Sequence, residues 1–217
     1  MNKSLIIVGG PAGAGKSTLL SQIKGRQDTV VASTGDMYKI ASDHVLSVQG
    51  VNYEVLRDDI KKYQISYLRN LEPLVMTLIT GFMGANHGPK TNVVLDTHYS
   101  VGSAEGFANA LKGESISLIG ATASVTGFDS CHCILVDADT AKIYERVNSD
   151  GQRSRGTMAM MDIEAERNSN ASAHEYYAEI LGNHLDTLKH VIHNNELRSA
   201  HREFLRILER PEPTTGE

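Results

Sequence analysis

Gly10-Pro11-Ala12-Gly13-Ala14-Gly15-Lys16-Ser17 decides the fold. The stretch fits G-x-x-x-x-G-K-[ST], and its flanks suit that pattern: Leu5–Val8 is a short apolar run, and Leu19, Leu20 and Ile23 recur at helix-face spacing after Lys16. Strand, glycine-rich loop and helix in that order make a phosphate-binding loop. Glycines let the backbone wrap a phosphate closely with its N–H groups turned inward, and the helix N-terminus adds partial positive charge. Lys16 is expected to neutralise the β- and γ-phosphates, Ser17 to ligate magnesium, and the whole run from Gly10 through Thr18 to hold ATP.

Working outward, Thr29–Ala32 reads as a second strand, with a helical pattern from Met37. Apolar residues at mixed spacings of three and four between Tyr53 and Met83, broken by Pro73, predict one or two helices ending near Gly84. Asn92–Leu95 is a third strand closed by Asp96. Residues 99–127 are rich in Gly, Ser and Ala and predict a helix or two. Residues 131–136 form a fourth strand, followed by a helix over about 140–147, a basic loop, and a helix over about 162–181. Val191–His193 is a weak last strand, and Glu196–Glu209 an amphipathic helix before Pro211 and Pro213. Strands alternating with helices imply a three-layer α/β/α fold around a parallel sheet of about five strands. We expect one domain over 1–210, with a short lid at about 148–158, acceptor-binding helices within about 36–84, and a flexible tail at 211–217.

The 217 residues carry a net charge of −5, with 41% apolar and 22% charged residues, which is ordinary for a globular chain. The acidic balance disfavours a nucleic-acid or anionic-membrane partner, and the run at 1–9 is too short for a secretory signal, so a small-molecule partner and a cytoplasmic setting are expected. Cys131 and Cys133 flank His132 on a strand, which sends two thiols one way and the imidazole the other. Core packing suits them better than a metal site. His174-Glu175-Tyr176-Tyr177 lacks the second histidine of H-E-x-x-H and reads as helix surface, and Met158, Met160 and Met161 as packing for the base of the lid.

The phosphate loop alone leaves the acceptor open. Asp96 ends a buried strand at its carboxyl end, where open α/β sheets bind ligands, and suits magnesium. Ser33-Thr34-Gly35-Asp36-Met37, Asp96-Thr97-His98, and the spacing Ile143, Arg146, Asp150, Arg153, Arg155 together resemble the archaeal type of adenylate kinase, within the P-loop nucleoside monophosphate kinases. Taken singly, each has a plainer reading. Thr34 or Asp36 suits a helix N-cap, His98 a solvated histidine, and the arginines a basic loop at a helix C-terminus.

The resemblance implies transfer of the γ-phosphoryl group of ATP to a nucleoside monophosphate, foremost AMP, with Mg2+. It implies Thr34, Asp36, Lys39, Arg57 and His98 at the acceptor, Asp36 with Ser17 and Asp96 at the metal, and Lys16, Arg146, Arg153 and Arg155 as the catalytic cations. It leaves an oligomer open. Where the family carries an arginine after the lid this chain has Ala171, with Arg167 one turn earlier as a substitute; Tyr99–Phe107 departs from the family pattern. Two other readings stand beside it: a kinase for another nucleotide or a hydroxylated metabolite, with Asp36 as base, and a P-loop ATPase acting as a switch or assembly factor.

Overall fold

A computed structural model describes residues 3–48, 64–86, 88, 92–103, 106–149 and 159–209. Five strands, β1 (Ser4–Gly9), β2 (Thr29–Ser33), β3 (Asn92–Asp96), β6 (Ser130–Asp137) and β7 (Asp186–His193), form one sheet in the order β2-β3-β1-β6-β7, every pair parallel. Leu5-Ile6-Ile7-Val8 is apolar throughout because β1 lies mid-sheet with both faces covered.

Leu5 and Ile7 turn to one face, where α2 (Thr34–Val48), α3 (Gln64–Ala85), α4 (Gly113–Val125) and α6 (Met160–Leu181) bring Ala41, Val75, Ile79, Ile119 and Tyr177 into one core. Ile6 and Val8 turn to the other, against Leu19, Leu20 and Ile23 around α1 (Lys16–Ser21) and Phe204 and Ile207 of α7 (Leu197–Glu209). A third cluster, Ala138, Ile143, Val147 and Ile163, joins α5 (Thr140–Ser149) to α6. The expected three-layer fold is therefore the observed one. Pro73 lies inside α3, a continuous helix over its described length. No described helix is long and apolar enough to cross a membrane.

Four expectations need correction. Residues 99–127 hold an antiparallel hairpin, β4 (Ser100–Ser103) with β5 (Gly106–Asn109), before a single helix, α4. The hairpin is closed where Ala110 N–H donates to Tyr99 O at 2.9 Å. The last strand covers Asp186–His193; as an edge strand it has one neighbour and keeps polar residues along most of its length, which hid its first half. Met160 and Met161 are exposed, and Met158 lies outside the described residues.

His174 is likewise no surface residue. It is 1% exposed, its Nε2–H donates to Cys133 O at 3.0 Å, and its ring packs against Tyr99 with centroids 5.1 Å apart. Burial holds its pKa below the ordinary value, partly offset by that hydrogen bond. The sign follows directly. Above about pH 6.5 the imidazole is neutral in both folded and unfolded chains; below it the unfolded chain takes a proton that the folded chain refuses, so stability falls as pH falls. Thermal unfolding between pH 7.5 and 5 should therefore show a steeper loss for the wild type than for His174→Gln, and equal slopes would remove His174 from the pH dependence.

Cys131 and Cys133 belong to the core on one face of β6, while His132 Nδ1 lies 3.0 Å from His190 Nε2 of β7. Among the described residues no three His, Cys, Asp or Glu side chains stand close enough to share a metal ion.

Candidate nucleotide site

β1 ends at Gly9, and the chain turns directly into the glycine-rich loop. The parallel register sets Val8 level with Asp96 of β3, and Thr97 N–H donates to Val8 O at 2.9 Å, so β3 delivers its acidic end beside the loop. Gly10 has φ 151°, and a Cβ there would lie 2.1 Å from Val136 O of β6. Only glycine lets the backbone pass so close to the neighbouring strand.

Lys16 Nζ pairs with Asp96 Oδ1, their side chains 11% and 20% exposed. Both line a cavity of about 450 Å3 at the carboxyl edge of the sheet, together with Ser17, Ser33, Thr97 and His98. One end of this cavity is phosphate loop; the other is the start of α2 and the segment after β3. Thr34 is buried, and its hydroxyl donates to Thr97 Oγ1 at 3.1 Å, tying those two segments together. Neither Thr34 nor Asp36 caps α2 with its side chain; the Ser33 hydroxyl accepts from Asp36 N–H at 3.2 Å. Asp36 and Lys39 are exposed on α2, and His98 is exposed beside Thr97.

The loop is braced from outside. Arg146 of α5 donates to the carbonyls of Gly13 and Ala14, both at 3.4 Å, and to Asn194 O at 2.8 Å. Asn194, buried just past β7, adds a hydrogen bond from Nδ2 to Ala14 O at 2.8 Å. A Cβ on Gly15, φ 88°, would sit 2.2 Å from that Nδ2. Glu166 of α6 accepts from Ala12 N–H at 2.8 Å. Arg146 thus lines the cavity but spends its hydrogen bonds on loop carbonyls.

Arg167 makes a bidentate pair with Asp137, at 2.9 and 2.7 Å, and donates to Thr140 Oγ1 at 2.8 Å. That places it at the end of β6, as the partner of a carboxylate that does not line the cavity. Arg57, Arg153, Arg155 and most of the expected lid lie outside the described residues.

Asn194 and Glu166 carried no motif. Asn194 had one general signal, its place at the carboxyl end of a strand; Glu166 had none on a charged helix.

Comparison with known proteins follows the same lines. The AAA domain family model matches residues 9–164. The adenylate kinase of Methanothermobacter thermautotrophicus is 24% identical over 207 residues, spanning 94% of this chain and 99% of that protein. Among solved structures, TT1252 from Thermus thermophilus superposes with a TM-score of 0.54 at 14% identity, covering 96% of this chain and 97% of its own. A Chloroflexus aurantiacus protein gives 0.51 at 12% identity, covering 98% and 100%. At such identities the two structures speak for the fold.

Proposed function

The chain belongs to the AAA domain family, and from that membership we propose that it is a P-loop kinase that transfers the γ-phosphoryl group of ATP to a nucleoside monophosphate, foremost AMP, in the cytoplasm. The observation that carries the proposal is the single cavity with the phosphate loop at one end and Ser33, Gly35, Thr97 and His98 at the other, since transfer needs donor and acceptor in one enclosure. The likeness to an adenylate kinase over nearly the whole chain supports the choice of acceptor. Two cysteines held as thiols suit a reducing compartment.

In this reading the loop Gly10–Thr18 wraps the donor phosphates with the N–H groups it does not spend on Glu166, and Lys16 turns its ammonium from Asp96 toward the β- and γ-oxygens. Ser17 and Asp96 line the cavity with the oxygen donors that Mg2+ takes, so they would hold the ion, with Asp36 reaching it through water. Magnesium, when bound with ATP, offsets charge on the β- and γ-oxygens. The Thr34–Thr97 pair fixes the wall on the acceptor side. Lys39, Arg57 and His98 meet the monophosphate, while Arg153 and Arg155 complete the cation shell around the transferring group. Arg146 serves by holding the loop's carbonyls away from the phosphates. An acceptor phosphate is largely ionised near neutral pH, so its oxygen attacks in line without a protein base, and positioning supplies the catalysis.

The test is coupled detection of nucleoside diphosphate from ATP and magnesium with AMP, CMP, UMP and GMP in turn. Fast turnover with AMP alone is the expected result. If every monophosphate leaves only slow, Lys16-dependent ATP hydrolysis, the proposal fails, and a hydroxyl acceptor or a protein partner takes its place.

A further inference from the structure

A phosphate loop built on glycines is costly to order, because Gly10, Gly13 and Gly15 all sit at positive φ and have many alternatives when unrestrained. Arg146 and Asn194 restrain its carbonyls. The restraint on its Ala12 N–H comes from a different element. Pro11 has no N–H, so Ala12 supplies the first amide after Gly10, and Glu166 Oε1 accepts it at 2.8 Å. Glu166 is half-buried on α6 and does not line the nucleotide cavity, so this amide is drawn outward, toward the helix.

The same turn of α6 is anchored at its other end. Asn170 is fully buried, and its Nδ2 donates to Glu166 O at 2.9 Å while its Oδ1 faces Ser100 N–H at 3.4 Å. Ser100 follows Asp96-Thr97-His98 by two residues. One helical turn, Glu166 to Asn170, therefore grips the donor loop with a side chain at one end and the acceptor-side segment with a side chain at the other.

We infer that Glu166 is a positioning residue for the donor nucleotide: its carboxylate fixes the Ala12 amide of the phosphate loop and, through Asn170, sets that loop in register with the acceptor-side segment. The inference rests on the reading of residues 10–18 as an ATP site. In this role Glu166 contributes the acceptor atom that holds Ala12 N–H.

The experiment is MgATP binding by calorimetry on full-length wild type, Glu166→Ala, Glu166→Gln, Ala12→Pro and the Glu166→Ala/Ala12→Pro pair. Losing a hydrogen bond to a charged acceptor should weaken MgATP binding about tenfold in Glu166→Ala. Glu166→Gln keeps an acceptor without the charge and should bind clearly more tightly than Glu166→Ala. Ala12→Pro removes the donor instead, so combined with Glu166→Ala it should cost no more than the worse single change, as expected of two halves of one contact. Wild-type-like affinity in Glu166→Ala, full additivity in the pair, or a Glu166→Gln variant as weak as Glu166→Ala would each overturn the inference while ATP binding itself stands. A wild type that binds no MgATP would overturn the functional reading beneath it. Thermal unfolding of each variant identifies a folding defect, and Glu166→Gln carries the test if Ala12→Pro does not fold.

Discussion

Lys16→Ala is expected to lower the rate of phosphoryl transfer by roughly 10³-fold at saturating ATP, the scale of losing one charge-stabilising group in a site that excludes water. The loop's glycines and its three outside braces do not involve Nζ, so the shape of the loop should survive. What disappears is the cation that the proposed mechanism sets against the β- and γ-oxygens, together with the partner of Asp96 in the nucleotide-free chain. Coupled detection of diphosphate measures the effect, with thermal unfolding as the control for folding. A variant retaining about a tenth of the wild-type rate or more would mean that Lys16 does not meet the transferring group.

Gly10→Ala should be the most damaging single methyl among the described glycines. Its Cβ would stand 2.1 Å from a backbone oxygen of β6, and its φ of 151° is one that alanine rarely adopts. Val136 is in register with Ile192 of β7, one residue past the end of the β1–β6 ladder at Leu135, so its carbonyl cannot retreat without disturbing the sheet. Overpacking and backbone strain together put the cost at about 3–5 kcal/mol, a large share of a domain's stability. Denaturant unfolding reads this directly, and MgATP binding should be lost in whatever folded fraction remains. A variant within about 1 kcal/mol of wild type would mean that the loop and β6 separate more easily than their contact suggests.

These effects concern the part of the molecule most legible in its sequence, and the reason is physical. A strand, a loop of glycines and a helix around one lysine form a local structure whose requirements are met within about twenty residues. Mid-sheet strands such as β3 and β6 were legible because burial on both faces demands an unbroken apolar run. The hairpin at 100–109 was not. Ser, Gly, Ala and Asn have little preference for strands, and what holds them is Asn170 and Tyr99, supplied by the fold. His174 was misjudged because a polar side chain gives no local sign that a distant carbonyl is waiting for it. In the site, Lys16, Ser17, Thr34 and Asp96 were found through motifs, whereas Asn194 reaches the loop across 180 positions and Glu166 across 154, distances over which sequence spacing says nothing.

The hairpin's attachment has a consequence for how such a chain diversifies. Ala110 bonds to Tyr99, so the chain leaves and re-enters at nearly one point, and Tyr99 itself is pinned beneath β1 by its hydroxyl on Ile7 O at 2.9 Å. Everything between is a cassette on a fixed clasp. Its length and composition can be rewritten by insertion or exchange at little entropic cost, because the ends are already together. The cassette begins two residues after His98, which lines the cavity, so change there can reshape that end of the cavity without disturbing the strands that carry the phosphate loop.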